Sequence, residues 1–502
     1  MVCRRRCNRI HSSYSNSSSN IAIFFVVVVI VITLLRLTPS AVVVVVSAFG
    51  IDSTNIMIAP PPPKRRDLPE KIIVGYATQC TEKVEQAVRD GVNVVIWSFV
   101  EIIVDGNKDK DNDTVTEKEH STVNKKAANA YAKCISHFNR DCAKQMINKL
   151  DSEGYDDTVH LVSFGGWNGP HLPDELDVYD MYKSFQDFNT YCDNIFHGID
   201  WDLEGHDRLD HSTNLFSIDC LNNMGIFSQL ASNDGYIVGM APPQSYLDIH
   251  AQQQQQQQNT NENGNDSSKM LNFSRYVNLT DTSKDRDGWH TNFHYFGCNV
   301  YSYLVSKYGQ YIDFISIQFY ESYSRAGLNI YHKQINPSEY LISYIKDLNL
   351  KVLPSKNDNN NNNNNNNDMK EEAEVSFFVD FDQDPLLNYS SRQVTFPLSK
   401  LVFGFANGWG VSDDDKVVYF DPLQINVAYK SLLSDSMDMD INLTPRGFMF
   451  WVIDEEGTND VNFARSLNEI LKIRSTKKQQ QQQHEQCDDG GDISNGEVKK
   501  VS

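Results

Sequence analysis

The chain has 502 residues, 40% hydrophobic and 11% aromatic, enough for a large buried core and for a single barrel-sized domain carrying insertions. Its formal net charge of -21 leaves no basic face to neutralise phosphates, which argues against nucleic acid as a partner and for a neutral polymer or small molecule.

At the N-terminus, Arg4, Arg5, Arg6 and Arg9 precede an apolar run from Ile21 to Leu35, and a second run from Ala41 ends in Val46-Ser47-Ala48, a small-residue cleavage pattern. The expectation is a secretory signal cut after Ala48, with an uncleaved single-pass membrane anchor as the alternative. Either route puts the remainder in the secretory lumen, for export or for a lysosome or vacuole. Sequons at Asn112, Asn265, Asn272, Asn278, Asn388 and Asn442 are compatible with glycosylation there. Of the 9 cysteines, Cys80, Cys134, Cys142, Cys192, Cys220 and Cys298 lie in the body, where disulfides are permitted but their connectivity is unreadable. Cys3, Cys7 and Cys487 lie in the leader and tail, and no C-x-x-C occurs, so a metal or cofactor is not expected.

Pro60 to Pro63 followed by Lys64-Arg65-Arg66 predicts a stiff, exposed linker. From Lys71, short β-branched runs alternate with amphipathic stretches, predicting eight strands: Ile72 to Tyr76, Val92 to Phe99, Val159 to Phe164, Gly198 to Glu204, Tyr236 to Met240, Phe314 to Tyr320, Leu401 to Phe405 and Gly447 to Val452. That is an α/β chain with a (β/α)8 barrel, whose function would sit at the C-terminal strand ends. Low-complexity insertions at Asp105 to Lys126, Gln252 to Ser268 and Asn357 to Asn367 are expected to be disordered loops. The expected organisation is a leader over 1–48, a linker over 49–70, the barrel over 71–475 and a disordered tail over 476–502, in a monomer.

The most informative segment is Phe196 to Gly205, F-H-G-I-D-W-D-L-E-G. Asp200, Asp202 and Glu204 fall at alternate positions between Ile199, Trp201 and Leu203, so one strand face carries all three acids. Lining up like charges costs energy through repulsion and desolvation, a cost met most often at catalytic sites. A solvated acidic face or a divalent-cation site would use the same spacing.

The segment resembles the D-x-x-D-x-D-x-E signature of family 18 glycoside hydrolases, the chitinases and their relatives, with His197 in place of the first acid. Other elements fall in the order that family uses: Ser163-Phe164-Gly165-Gly166-Trp167, Met240-Ala241-Pro242, Gln318-Phe319-Tyr320 and Gly447-Phe448-Met449-Phe450-Trp451, the third being similar to plant class III and many bacterial enzymes. The resemblance covers roughly Lys71 to Arg474. It implies that Glu204 protonates the glycosidic oxygen and then activates water, while the substrate's own 2-acetamido carbonyl attacks the sugar. Asp202 would orient that acetamido group, Asp200 would share a proton or hydrogen bond with Asp202, and Tyr320 would hold the acetamido oxygen. Trp451 and Trp167 would stack on sugars, Gln318 and Met240 would line the pocket, and Gly165 and Gly166 would permit close backbone approach.

His197 is expected to shift the pH profile through an imidazole titrating at about 6.5, and Glu321 to add charge at the rim. The implied activity is hydrolysis of β-1,4-linked N-acetylglucosamine, most simply by a chitinase. An endo-β-N-acetylglucosaminidase acting on N-glycans and a non-catalytic lectin share the scaffold. No cysteine-dense chitin-binding module accompanies the barrel.

Overall fold

Strands that bury both faces close into a ring in this chain, shown by a computed structural model that describes residues 66–106, 130–208, 210–250, 270–277, 297–321, 324–352, 373–411 and 417–472. In chain order they are β1 (Ile72–Ala77), β2 (Val94–Gly106), β3 (Ala130–Ser136), β4 (Val159–Gly166), β5 (Gly198–Leu203), β6 (Ile237–Met240) and β7 (Met270–Asn272). They continue with β8 (Phe314–Gln318), β9 (Leu350–Val352), β10 (Ala373–Asp380), β11 (Arg392–Pro397), β12 (Leu401–Ala406) and β13 (Gly447–Trp451). Eight of them pair in parallel in the order β1-β13-β12-β8-β6-β5-β4-β2, and a parallel β1–β2 ladder closes the barrel. These are the eight strands expected from the sequence.

Between barrel strands the chain returns through α1 (Glu82–Arg89), α2 (Arg140–Leu150), α3 (Val178–Tyr191), α4 (Ile218–Asn233), α5 (Ser302–Tyr308), α6 (Pro337–Lys346) and α7 (Pro422–Met439), and α8 (Phe463–Leu471) follows the last. Asn139, Asp177, Ser217, Asn336, Asp421 and Asn462 each accept a backbone N–H at a helix start, satisfying donors that the first turn leaves unpaired.

Two apolar layers follow from the two-residue period of the strands. Inward-facing Ile72, Val74, Val94, Ile96, Val159, Leu161, Ile237, Phe314, Val402 and Met449 fill the barrel. Outward-facing Ile73, Val95, Val162, Trp201, Met240, Ile317 and Phe448 pack under the helices. On β5 the inward positions are Gly198, Asp200 and Asp202, so acids stand where the other strands place apolar side chains.

The structure departs from expectation in three places. Arg66 to Glu70 are not an exposed linker: Leu68 packs against the inner cluster, Arg446 donates to the Leu68 and Pro69 carbonyls, and Arg66 pairs with Asp151. Asp105 is not in a loop but in a hairpin stem, since β2 runs on past the barrel and pairs antiparallel with β3 as far as Gly106↔Ala130. Beside the barrel, β7, β9, β10 and β11 form a second small sheet that the sequence does not announce. Its strands are short and half-exposed, and a tract of asparagines separates two of them.

Cys80 and Cys142 form a disulfide across a separation of 62 residues, while Cys134, Cys192, Cys220 and Cys298 are buried thiols. The leader, the linker up to residue 65, residues 107–126 of the first insertion, the Gln252 to Ser268 and Asn357 to Asn367 insertions and the tail lie outside the described residues. So do Cys3, Cys7, Cys487, Asn112, Asn265 and Asn278. Among the described residues no helix is long and apolar enough to cross a membrane.

The asparagine tract connects the ends of a paired antiparallel ladder, Val352 opposite Ala373. Deleting Asn357 to Asn367 should therefore change the free energy of unfolding by less than about 1 kcal/mol, because closure entropy varies slowly with loop length. Urea denaturation of the two proteins checks this, and a cooperative loss of folding would show that the tract is packed.

Candidate active site

Three buried carboxyl groups rise along the inner face of β5 toward the C-terminal mouth of the barrel: Asp200, Asp202 and, one residue past the strand, Glu204. The side chains that solvate them come from other strands and are neutral. Asp200 Oδ2 accepts from the Tyr76 hydroxyl on β1 at 2.7 Å and from the Ser163 hydroxyl on β4 at 2.8 Å. Its Oδ1 has no hydrogen-bond partner and lies toward Gly239, where an added Cβ would sit 2.9 Å from it. Asp202 Oδ1 accepts from Gln318 Nε2 at 2.7 Å, and the same nitrogen donates to the Ala241 carbonyl at 2.6 Å and reaches Glu204 Oε1 at 3.5 Å.

Asp202 and Glu204 thus share one amide donor, and the charge of each carboxyl bears on the protonation of its neighbour. Asp200 is held by Tyr76 and Ser163, and Asp202 by Gln318.

Burial governs the protonation of all three. It pushes Asp200 up to about 6 against the pull of its two hydroxyl partners. It raises Asp202 well above the ordinary carboxylate range, helped by the charges of Glu204 and Asp200. Burial and then the nearby Glu321 carboxylate push Glu204 up to about 8, with Gln318 and Asp202 pulling the other way. Asp202 and Glu204 titrate as a pair, and at neutral pH that pair retains a proton to give away.

The mouth is aromatic. Trp451, at the end of β13, lies 5.5 Å from the Tyr76 ring and stacks with Phe99 at 5.7 Å and 22°. Phe99 packs in turn against Gly166, where a Cβ would come within 2.5 Å of its ring. Gly165 has φ of +107°, and a Cβ there would lie 2.5 Å from the Asp202 carbonyl, so neither glycine can be replaced without displacing the site. Trp167 is 44% exposed at the rim and donates its indole N–H to Asp207 at 3.1 Å. Tyr320, past the end of β8, is partly buried, and Asp202, Glu204 and Asp200 together raise its hydroxyl beyond the effect of burial. Glu321 accepts from both the Ser245 amide (3.0 Å) and hydroxyl (2.5 Å), and burial lifts it to about 7.

Of the residues expected from the sequence, Asp200, Asp202, Glu204, Tyr320, Gln318, Trp451, Gly165, Gly166 and Trp167 gather at this mouth. Met240 does not. It is fully buried in the outer layer under the helices, because its partner across the β5–β6 ladder is outward-facing Trp201. Gln318 spends its amide on Asp202, Glu204 and Ala241, which makes it a support of the acids. His197 is also corrected. It lies at the opposite end of β5, accepts from the His160 amide at 2.9 Å, and burial lowers it to about 3, so it stays neutral through the working range and cannot shape the pH profile. Ser163 enters the sequence reading only as the first residue of its glycine motif, and Tyr76 and Phe99 are not singled out there, although strand parity puts Tyr76 on the same face as Ile72 and Val74. Among the described residues, no three His, Cys, Asp or Glu side chains are grouped to hold a metal ion.

No family model and no curated protein matches the chain. Solved structures do. A family 18 chitinase from Pseudoalteromonas aurantia is 13% identical over 80% of this chain and 100% of its own, with a TM-score of 0.38. A family 18 chitinase from Crocus vernus is 10% identical over 82% of this chain and 99% of its own, at 0.34. The Ostrinia furnacalis Group IV chitinase in complex with allosamidin is 11% identical over 80% of this chain and 99% of its own, at 0.36.

Raised carboxyl groups bind protons more tightly folded than unfolded: Glu204 at about 8 against 4.5, Asp200 at about 6 against 3.8. Their contribution to stability is complete below the unfolded values and is lost as pH rises through the folded ones. Glu204→Gln, which cannot ionise, should gain thermal stability over wild type between about pH 5 and pH 9 and differ little at about pH 4. Melting curves across that range test it, and a difference that widens toward acid contradicts the assignment.

Proposed function

We propose that this chain is a glycoside hydrolase of β-1,4-linked N-acetylglucosamine polymers, a chitinase, working by substrate-assisted hydrolysis with retention of the anomer. The observation that carries the reading is the Gln318 amide, which donates to Asp202 at 2.7 Å and reaches Glu204 at 3.5 Å, so that two buried acids stand together beside the partly buried Tyr320 and Trp451. The two acids lie side by side on one face of the same strand and within reach of the same amide, not on opposite sides of a bound sugar's bond. A nucleophile or base acting across a glycosidic bond from its acid needs about 5 Å or more. Asp202 therefore does not attack the sugar or activate water on the far face; it sits where it can orient a neighbouring group and offset positive charge. The resemblance supplies that group as the substrate's 2-acetamido, whose carbonyl attacks C1 to give an oxazolinium.

The working cycle we propose assigns one task to each of these groups. Glu204, protonated at neutral pH, gives its proton to the leaving oxygen, and the resulting carboxylate later takes one from the incoming water. Asp202 carries the negative charge that faces the oxazolinium nitrogen, with Gln318 fixing its orientation. Tyr320 holds its phenol proton and so remains a donor for the acetamido oxygen. Trp451 and the exposed Trp167 offer faces on which apolar sides of the sugar rings stack. A protein that only bound sugar would have no use for a carboxyl held protonated at neutral pH, which favours the enzyme over the lectin.

The leader and the Cys80–Cys142 disulfide favour a lumenal or secreted product, since structural disulfides persist in oxidising compartments. N-terminal sequencing of the mature protein should begin near Phe49, and an intact N-terminus carrying glycans selects the membrane anchor instead.

On chitin oligosaccharides, Glu204→Gln should lower turnover by on the order of 10^2-fold or more while binding survives, and Asp202→Asn should also cripple turnover. The first product should be the β-anomer, a thiazoline mimic should inhibit competitively, and a deacetylated sugar before the bond should block cleavage. Release of the α-anomer, or undiminished cleavage beside an unacetylated sugar, would refute the mechanism. Mass spectrometry after incubation with a high-mannose glycopeptide separates the chitinase from an N-glycan hydrolase.

A further inference from the structure

Strand β5 outruns its neighbours. On the β6 side its ladder ends with the Ala241 amide donating to the Trp201 carbonyl at 2.8 Å, and on the β4 side the last pairing is Gly166 with Leu203. The residues beyond, which carry Glu204, have no strand beside them, and buried backbone groups left unpaired are costly. Side chains from separate loops take the place of the missing strands. Successive residues of a strand turn their amides and carbonyls to opposite sides, so Trp201, Leu203 and Gly205 face the β6 side and Glu204 the β4 side. The side-chain partners follow that parity, whereas the Gly205 carbonyl turns back to accept from the Asn168 amide just past β4 at 3.1 Å. The Tyr301 hydroxyl donates to the Leu203 carbonyl at 3.0 Å, and the Tyr246 hydroxyl accepts from the Gly205 amide at 2.9 Å. Opposite them, His171 Nε2 donates to the Glu204 carbonyl at 2.9 Å.

These three side chains are themselves immobilised on one ring. Phe216, fully buried, lies 4.3 Å from the His171 ring, 6.1 Å from Tyr246 and 6.2 Å from Tyr301, the two tyrosines meeting it edge-on. The backbone clamp therefore rests on one buried ring, whereas the hydrogen bond that reaches the Glu204 carboxyl among the described residues is the long 3.5 Å approach of Gln318.

We propose that Tyr246 and His171 are positioning residues for Glu204: by replacing the absent strand partners on either side of it, they fix the backbone from which the acid projects. The inference rests on the reading of Glu204 as proton donor. Proton transfer tolerates misplacement of about 0.5 Å, and an error of about 1 Å can cost 10^2-fold. Neither side chain needs to touch substrate for this effect.

The test uses Tyr246→Phe, which deletes one oxygen from an otherwise unchanged ring, together with His171→Leu and His171→Gln, whose amide can still donate. On a chitin oligosaccharide, Tyr246→Phe and His171→Leu should each lower kcat by about 10-fold or more with KM within about twofold, and His171→Gln should recover most of the loss. Crystal structures of wild type and Tyr246→Phe without substrate should show the Glu204 carboxyl displaced by about 0.5 Å or more. A folded Tyr246→Phe protein with Glu204 unmoved and kcat within twofold of wild type overturns the proposal, as does a change confined to KM. Should His171→Leu fail to fold, Tyr246→Phe decides. If the wild type cleaves no N-acetylglucosamine substrate, or Glu204→Gln turns over normally, the functional reading fails, while the crystallographic displacement still decides whether the clamp positions Glu204.

Discussion

Three carboxyl groups buried side by side on one strand cannot all be charged, and the rest of the site is arranged around that constraint. The donors that reach Asp200 and Asp202 are a phenol, an alcohol and an amide, from Tyr76, Ser163 and Gln318. Neutral donors relieve desolvation without stabilising full ionisation as a paired cation would, so protons stay on the strand at neutral pH. Ser163 stands on β4, which pairs with β5, whereas Tyr76 and Gln318 reach the acids from β1 and β8, strands that do not pair with β5 and meet it only across the interior of the closed barrel. Protonation of the acid is thus a property of the closed ring.

Glu321 extends the same logic outward. A fourth carboxyl, bound by the Ser245 amide and hydroxyl and lifted to about 7 by burial, lies close enough to help hold the proton on Glu204. Sequence reading placed it at the rim as added charge. The structure shows it partly buried and hydrogen-bonded to the loop that also supplies Tyr246, so its charge acts on the acid through a low-dielectric path.

How much of this was legible depended on periodicity. The barrel strands bury both faces, so they read as continuous β-branched runs, and the one strand with a functional face broke that pattern with Asp200, Asp202 and Glu204. Motif order alone misassigned Met240, because a motif carries no parity; the Asp200↔Gly239 register shows that the residue beside Asp200 on β6 is the glycine. His197 was misread for a related reason, since only burial distinguishes a neutral imidazole from a titrating one. The small sheet escaped because β7 and β9 have three residues each and pair with β10 across long insertions, and because the ring that packs beside it, Tyr303 against Phe381 and Tyr389, is distant from both in sequence.

The rim and the acid are mechanically one unit. Asp207 accepts from the Trp167 indole and from Asn168, whose own amide donates to the Gly205 carbonyl at 3.1 Å, and the Asp207 amide returns to Asn168 at 2.8 Å. The exposed indole at the rim is therefore joined through one short clip to the residue after Glu204. On the proposed function, such a clip lets a sugar stacked on Trp167 bear on the placement of Glu204. Energy from remote contacts can then be used where the bond breaks.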